Sequence, residues 1–244
     1  MREALGVIPA RYGAQRFPGK PLAPILGRPM LQWVYEGARR ATRLERLVVA
    51  TDDERILQAA RGFGAEACMT SPGHTSGTER VAELAARYDI PIVINIQGDE
   101  PLIKGEAIDA LVEALQDESV PMATLARREA NLSRIADPNV VKLVRDSKGF
   151  ALYFSRSPLP HSAQEYFWEH IGIYGYQKDF LLRFGGLPAS GLEKAEKLEQ
   201  LRALEHGFRI QVLESPHSSL SVDTPEDIIR AEERLRDEPN YDDH

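Results

Sequence analysis

Apolar residues in the first half of this chain fall in short unbroken runs, and the stretches between them repeat with helical period. Residues 5–8 (LGVI), 46–50 (RLVVA), 66–69 (EACM) and 91–96 (PIVINI) are the runs. Runs of that length without polar alternation predict strands buried on both faces. Between them, residues 29–41 place Met30, Leu31, Trp33 and Val34 on one helical face behind Pro29. Thr51-Asp52-Asp53 caps a helix through Gly62, and further helices are predicted over 76–88 and 104–116. Strands alternating with helices predict βαβ units with right-handed crossovers. From residue 121 the rhythm changes. Residues 122–125, 140–145, 151–154 and 171–177 read as strands with only turns between most of them. A helix over 192–207 stopped by Gly207, a strand over 209–213 and a helix capped by Thr224 with Pro225 behind it complete the pattern. The expectation is an α/β fold: a mainly parallel central sheet flanked by helices, with a smaller antiparallel extension over 121–180, in one domain spanning 1–244.

Bulk properties narrow the class. The chain has 244 residues and is 43% hydrophobic, enough for a full α/β core. No apolar run approaches the roughly 20 residues that cross a bilayer, and the N-terminal apolar stretch is too short for a signal peptide. Cys68 is the single cysteine, so no internal disulfide can form. These features predict a cytoplasmic protein with no membrane partner. A formal net charge of -7, with no basic stripe beyond the first loop, argues against a nucleic-acid partner.

That first loop runs against the overall charge. Between Ala4 and Tyr35 stand Arg11, Arg16, Lys20 and Arg28 with no acid among them. Cations gathered in a Gly- and Pro-rich loop between a strand and a helix start suit an anionic, phosphate-bearing ligand. The alternative is a solvated loop paired with acids elsewhere. Pro21 stands where a Walker A loop needs Ser or Thr, and GxGxxG is absent. Asp99 lies just past the strongest strand, where open α/β sheets bind ligands, and its hard oxygens suit Mg²⁺; a turn acid would look the same. Asp223, ahead of a helix cap, has the same two readings. Arg80 near a helix start could serve phosphate or carboxylate, and His170 could bond a hydroxylated substrate or be structural. The histidines have no metal-ligand spacing, and no nucleophile motif is present. Residue chemistry alone reaches an Mg²⁺-assisted enzyme for a phosphorylated ligand.

As an ordered set, IPARYGAQRFPGKPL, VVATDDERI, SGTERVAE, NIQGDEP, ALYFSRSPLP, HIGIYGY, KLEQLRALEHG and VDTPED resemble the 3-deoxy-manno-octulosonate (Kdo) cytidylyltransferase family across residues 7–228. The resemblance implies a glycosyltransferase-A-like nucleotidyltransferase fold. It implies the reaction CTP + Kdo → CMP-Kdo + pyrophosphate, feeding lipopolysaccharide synthesis, in an Mg²⁺-dependent homodimer. It assigns Arg11 and Lys20, assisted by Arg16, to the triphosphate. Ala10, Ser76 and Gly77 fall near the cytosine, and Asp99 and Asp223 fall to the metal. Arg80 and Gln97, placed between nucleotide and sugar, join His170, Tyr174, Glu199 and Gln200 around the acidic sugar. The 121–180 extension is expected to serve dimerisation and sugar binding. Two departures stand out: Ala14-Gln15 replaces the family's Ser-Thr pair, and the segment between Pro160 and His170 is short and lacks the family's basic residues. The competing functions are a cytidylyltransferase for another acidic sugar, amino-Kdo or sialic-acid-like, and a non-catalytic nucleotide-binding relative.

Overall fold

The unbroken apolar runs need cover on both faces, and two layers of helices supply it. The computed structural model describes residues 2–13, 17–217 and 220–237. Its first half runs β1 (Ala4–Ala10), β2 (Pro24–Ile25), β3 (Arg28–Pro29), α1 (Met30–Arg39), β4 (Arg46–Thr51), α2 (Glu54–Gly62), β5 (Glu66–Met69), α3 (Gly77–Ala85), β6 (Ile92–Asn95) and α4 (Gly105–Ala114). There follow β7 (Met122–Glu129), β8 (Lys142–Arg145), β9 (Ala151–Ser155), β10 (Phe167–Gln177), α5 (Lys178–Phe184), α6 (Gly191–Glu196), α7 (Gln200–Glu205), β11 (Ile210–Glu214) and α8 (Pro225–Arg236). The central sheet has the order β11-β7-β10-β6-β1-β4-β5. Its strands are parallel except β10, which runs antiparallel to both β6 and β7.

Alternate residues of β1 feed different layers. Ile8 packs with Leu31 and Val34 of α1, Ile56 of α2 and Leu111 of α4. Leu5 and Val7 face Val81 and Leu84 of α3 and Phe180 and Phe184 of α5. Each such side chain, fully buried, contributes about 1.5–3 kcal/mol relative to exposure, so the β1 layer alone outweighs any surface pair. A third, smaller core joins Ile25 and Trp33 to Val222, Ala231 and Leu235, docking α8 on the β2–β3 hairpin. There Trp33 donates its indole N–H to the Ile25 carbonyl at 2.8 Å. No described helix is long and apolar enough to cross a membrane.

The predicted parallel half is present element for element, but three expectations are corrected. Pro29 precedes the first helix instead of opening it. It pairs with Pro24 across the hairpin in extended conformation, which holds it out of the helical turn. The 121–180 extension is smaller than expected, because β7 and β10 belong to the central sheet. Only β8 and β9 lie off its main strand order, β8 pairing with Trp168 and Glu169 of β10 and with β9. β7 buries Met122, Ala123, Leu125 and Ala126, so neither face could have been left to solvent. The helix expected over 192–207 is two helices, α6 and α7, folded at Lys197, whose φ is 56°. The fold is stapled by Glu193, which accepts from Ser190 in a capping box and from Arg202 Nε at 2.8 Å. Gly207, with φ 79°, does end the second helix. Asp227 accepts from the Thr224 N–H at 3.0 Å, closing the predicted cap of α8.

Candidate active site

Loops from the carboxyl ends of β1 and β6 meet the segment ahead of α8 around a cavity of about 580 Å³. The β1–β6 ladder runs up to its edge, with Ile96 N–H donating to the Val7 carbonyl at 2.9 Å. The chain then turns at Gly98, where a Cβ would lie 2.9 Å from the Pro9 carbonyl oxygen, so only glycine lets the two loops come this close. Val222 N–H donates to the Asp99 carbonyl at 2.9 Å, which lays Asp223 alongside Asp99. On the other wall, Gly19 takes φ 74° and its N–H closes back on the Tyr12 carbonyl at 2.9 Å. That turn starts the short 3-10 helix Lys20–Leu22 and aims Lys20 inward.

The Lys20 ammonium lies 2.7 Å from Asp99 Oδ2 and 3.2 Å from Asp223 Oδ1. Two carboxylates some 120 residues apart in sequence thus face one cation. Burial alone would push the Lys20 pKa down, but Asp99 and then Asp223 more than offset it, and the net shift is upward. Lys20 is therefore charged throughout the physiological range. Arg11 is exposed on the same cavity, and Ala10, Ser76 and Gly77 line it as well. Ser76 caps α3, accepting from Glu79 N–H, so this wall is also a helix N-terminus. Arg16 and the Ala14-Gln15 pair lie outside the described residues.

Arg80 and Gln97 line the same cavity. Arg80 is only 2% exposed, and its guanidinium is engaged by Asp52 Oδ2 at 2.7 Å and by Thr70. It ties together the loops after β4 and β5. Gln97 donates to Asn95 Oδ1 at 3.1 Å.

His170, Tyr174, Glu199 and Gln200 stand behind that wall and do not line the cavity. His170 packs edge-on against Phe154, with ring centroids 5.1 Å apart, and shares a 3.0 Å hydrogen bond with the Thr124 hydroxyl. Burial without any compensating charge pushes its pKa down to about 3, so the ring is neutral at physiological pH. Burial, with help from the Glu199 carboxylate, raises the Tyr174 hydroxyl. Glu199 accepts from the Thr78 hydroxyl at 2.5 Å, next to Gly77 of the cavity wall. Gln200 is 3% exposed, and its Nε2 has no hydrogen-bond partner among the described residues. A bulge in β10 between Ile171 and Tyr174 brings Gly172 near Gln97, so Gln97 stands at the junction of the two groups.

The structure adds residues that sequence reasoning missed. His74 lines the cavity and is held by Glu83 at 2.5 Å. Thr78 and Asn95 underlie Glu199 and Gln97, and a polar residue inside the apolar run PIVINI was the available signal for Asn95. Near the short segment before His170, Glu169 at the start of β10 pairs with Arg127 at 2.6 Å and Arg134 at 2.8 Å. Those two arginines are supplied from elsewhere in the chain, and they come already neutralised.

The donor set can be tested for a metal. Among the described residues no cluster of three or more His, Cys, Asp or Glu could cage an ion. Mg²⁺ usually takes one or two carboxylates and completes its octahedron with water and phosphate oxygens. The Asp99–Asp223 pair, all hard oxygen and open to the cavity, fits that description.

Comparison with known proteins gives a consistent result. The family model for cytidylyltransferases matches residues 5–212. The 3-deoxy-manno-octulosonate cytidylyltransferase of Syntrophotalea carbinolica is 53% identical over 243 residues, covering 94% of this chain and 97% of that protein. The enzyme of the same name from Solibacter usitatus is also 53% identical, over 234 residues, covering 94% of this chain and 93% of that one. A solved structure of CMP:2-keto-3-deoxy-manno-octonic acid synthetase complexed with CTP superposes with a TM-score of 0.91 at 40% identity, covering 96% of this chain and 99% of the other.

Proposed function

This chain belongs to the 3-deoxy-manno-octulosonate cytidylyltransferase family, and on that premise we propose that its cavity activates Kdo with CTP, yielding CMP-Kdo and pyrophosphate for lipopolysaccharide synthesis. The observation that carries the reading is the Lys20 ammonium set between Asp99 and Asp223 at the carboxyl end of β1 and β6. A cation and two carboxylates at that place serve phosphoryl chemistry, where charge moves onto a leaving pyrophosphate.

The triphosphate lies against Arg11 and Lys20, with Arg16 on the same loop, and the cytosine meets Ala10, Ser76 and Gly77. The sugar's anomeric hydroxyl attacks the α-phosphorus in line. One P–O bond forms to the anomeric oxygen, the bond to the β-phosphate oxygen breaks, and the hydroxyl proton passes to solvent. Arg11 and Lys20 offset the negative charge that develops on the pyrophosphate. Asp99 and Asp223 would hold Mg²⁺, which supplies Lewis-acid polarisation of phosphate oxygens and lowers the pKa of a bound hydroxyl. Gln97 and Arg80 face the junction of nucleotide and sugar. His170, Tyr174, Glu199 and Gln200 orient the acidic sugar through neutral hydrogen bonds and one carboxylate. The working protein is a cytoplasmic homodimer that uses the β8–β9 extension in its interface.

The test is pyrophosphate release from CTP and Mg²⁺ with Kdo, amino-Kdo and a sialic acid in parallel, before and after chelation. Turnover with Kdo that chelation abolishes and Mg²⁺ restores is the expected result. Preference for one of the other sugars would move the substrate assignment. Calorimetric CTP binding without pyrophosphate from any sugar would mark a non-catalytic nucleotide binder.

A further inference from the structure

Glu196 is the last residue of α6, and its bonds all lead to a different part of the molecule. Its Oε1 accepts from the Ser155 hydroxyl at 2.7 Å and from the Tyr153 hydroxyl at 3.3 Å. Its Oε2 accepts from the Arg156 N–H at 2.9 Å, and its main-chain carbonyl accepts from Arg156 Nε at 3.0 Å. The donors belong to Tyr153 and Ser155 of β9, the outer strand of the extension, and to Arg156 just after it. That end of the strand is itself locked. Arg156 donates onward to the Pro138 carbonyl at 2.8 Å. The Lys142 ammonium, on a side chain with no solvent exposure, donates to the carbonyls of Asp137 at 2.9 Å, Val140 at 2.7 Å and Arg156.

In the other direction, Glu196 is followed at once by the left-handed turn at Lys197 and then by the start of α7. A non-glycine residue with positive φ is sterically strained and persists only where its surroundings hold it. The residues delivered by that turn are Glu199 and Gln200. Glu199 reaches Thr78 beside the cavity wall, and Gln200 carries an amide nitrogen that is buried without a hydrogen-bond partner among the described residues. Glu193 and Arg202 staple the two helices to each other, and the Arg202 guanidinium also lies over the Phe184 ring of α5. The hydrogen bonds from this turn to the extension converge on Glu196, through its carboxylate and its main-chain carbonyl, while Leu198 and Leu201 share an apolar core with Phe154 of β9. Burial raises the Glu196 carboxyl, the Arg156 N–H and the Ser155 and Tyr153 hydroxyls lower it further, and the net shift is downward, so it stays an ionised acceptor.

We propose that Glu196 is a positioning residue for the acceptor, fixing Glu199 and Gln200 from the end of β9; the assignment rests on the reading that these two residues serve the sugar acid. Glu196 touches no cavity-lining residue of the nucleotide side, so its loss separates the two substrates.

The experiment measures steady-state kinetics, CTP affinity and amide exchange for the wild type and for Glu196→Gln, Ser155→Ala and Tyr153→Phe. Glu196→Gln puts an amide N–H₂ among donors. It is expected to raise the KM for the sugar about tenfold, with a smaller fall in kcat and a CTP Kd unchanged within about twofold. The Ser155 and Tyr153 variants shift the same KM by less, and amide exchange rises over residues 198–203. A purely structural role would lower the melting temperature with the sugar KM flat. That outcome, or a CTP Kd that weakens in step with the KM, overturns the proposal. Should Glu196→Gln not fold, the two β9 variants carry the same comparison. Should the wild type turn over no sugar acid, the functional reading fails by itself. Unchanged exchange over 198–203 in Glu196→Gln then overturns the positioning role separately.

Discussion

Lys20 and His170 are both bases removed from water, yet their pKa values move in opposite directions. Lys20 is met by Asp99 and Asp223, and the carboxylates outweigh its burial. His170 is met by Phe154, Tyr174 and a threonine hydroxyl, and burial acts unopposed. The same desolvation thus leaves a cation in the cavity at Lys20 and a neutral ring behind its wall at His170. The lesson is that the two halves recognise differently. In the proposed function one works by charge held at loop ends, the other by a neutral ring, hydroxyl and amide together with the single carboxylate of Glu199.

The strongest way to break that contrast is at the carboxylates. Asp99→Asn keeps the shape and removes the charge, and kcat for pyrophosphate release is expected to fall by about 10²–10³-fold. Retention of more than a tenth of wild-type kcat would show that charge is not what defines this half. Lys20→Met comes next. It deletes the cation and leaves two carboxylates facing each other, so kcat/KM for CTP should fall by about 10²-fold. A calorimetric titration showing unaltered CTP affinity in this variant would contradict its placement on the triphosphate. A purely geometric change is expected to cost less. Gly98→Ala brings a Cβ to 2.9 Å from the Pro9 carbonyl, and backbone cannot swing aside as a flexible side chain can. The displaced Asp99 turn should lower kcat/KM by about tenfold while circular dichroism stays native-like.

The smallest effect sharpens the other half of the contrast. The folded pKa of His170, about 3, lies below its ordinary value of 6.5. As pH falls below about 6.5 the unfolded chain takes up a proton that the folded chain refuses until about pH 3, so the native state loses stability across that window. The slope approaches about 1.4 kcal/mol per pH unit for one proton. Between pH 6 and pH 5, above the range where the carboxylates titrate, His170→Asn should flatten the slope of urea-unfolding stability by about 1 kcal/mol. Parallel profiles would mean that the ring is hydrated and charged.

The parallel half of the fold was legible because burial on both faces leaves an unbroken apolar run, and turn residues bracket each one. The second half was not, because the apolar positions of β7 and β10 look alike whether the strand joins the central sheet or stands beside it. Pairing β10 between β6 and β7 is a contact at long range that no local pattern encodes. The break at Lys197 was hidden for a related reason: no glycine marks the left-handed residue, and what holds it comes from β9 and Arg202. In the site, the cations of the first loop announced themselves by clustering in an acidic chain. The meeting of Asp99 with Asp223 did not, and only the family resemblance paired them before the structure did. His74 and Glu196 carried no local signal, since the groups that define them lie on other elements.

The antiparallel placement of β10 also bears on how the molecule is made. β6 and β7 are consecutive strands, joined through α4, yet they are not neighbours in the sheet. The strand that separates them begins at Phe167, later in the chain than both. A nascent chain that ends with β9 therefore has two apolar strands whose facing edges lack partners, across a slot one strand wide. Until β10 is synthesised, that slot is the place where a second nascent chain could insert. The slot in the sheet closes only when the segment carrying His170 and Tyr174 arrives, and Glu199, Gln200 and then Asp223 follow it in the chain.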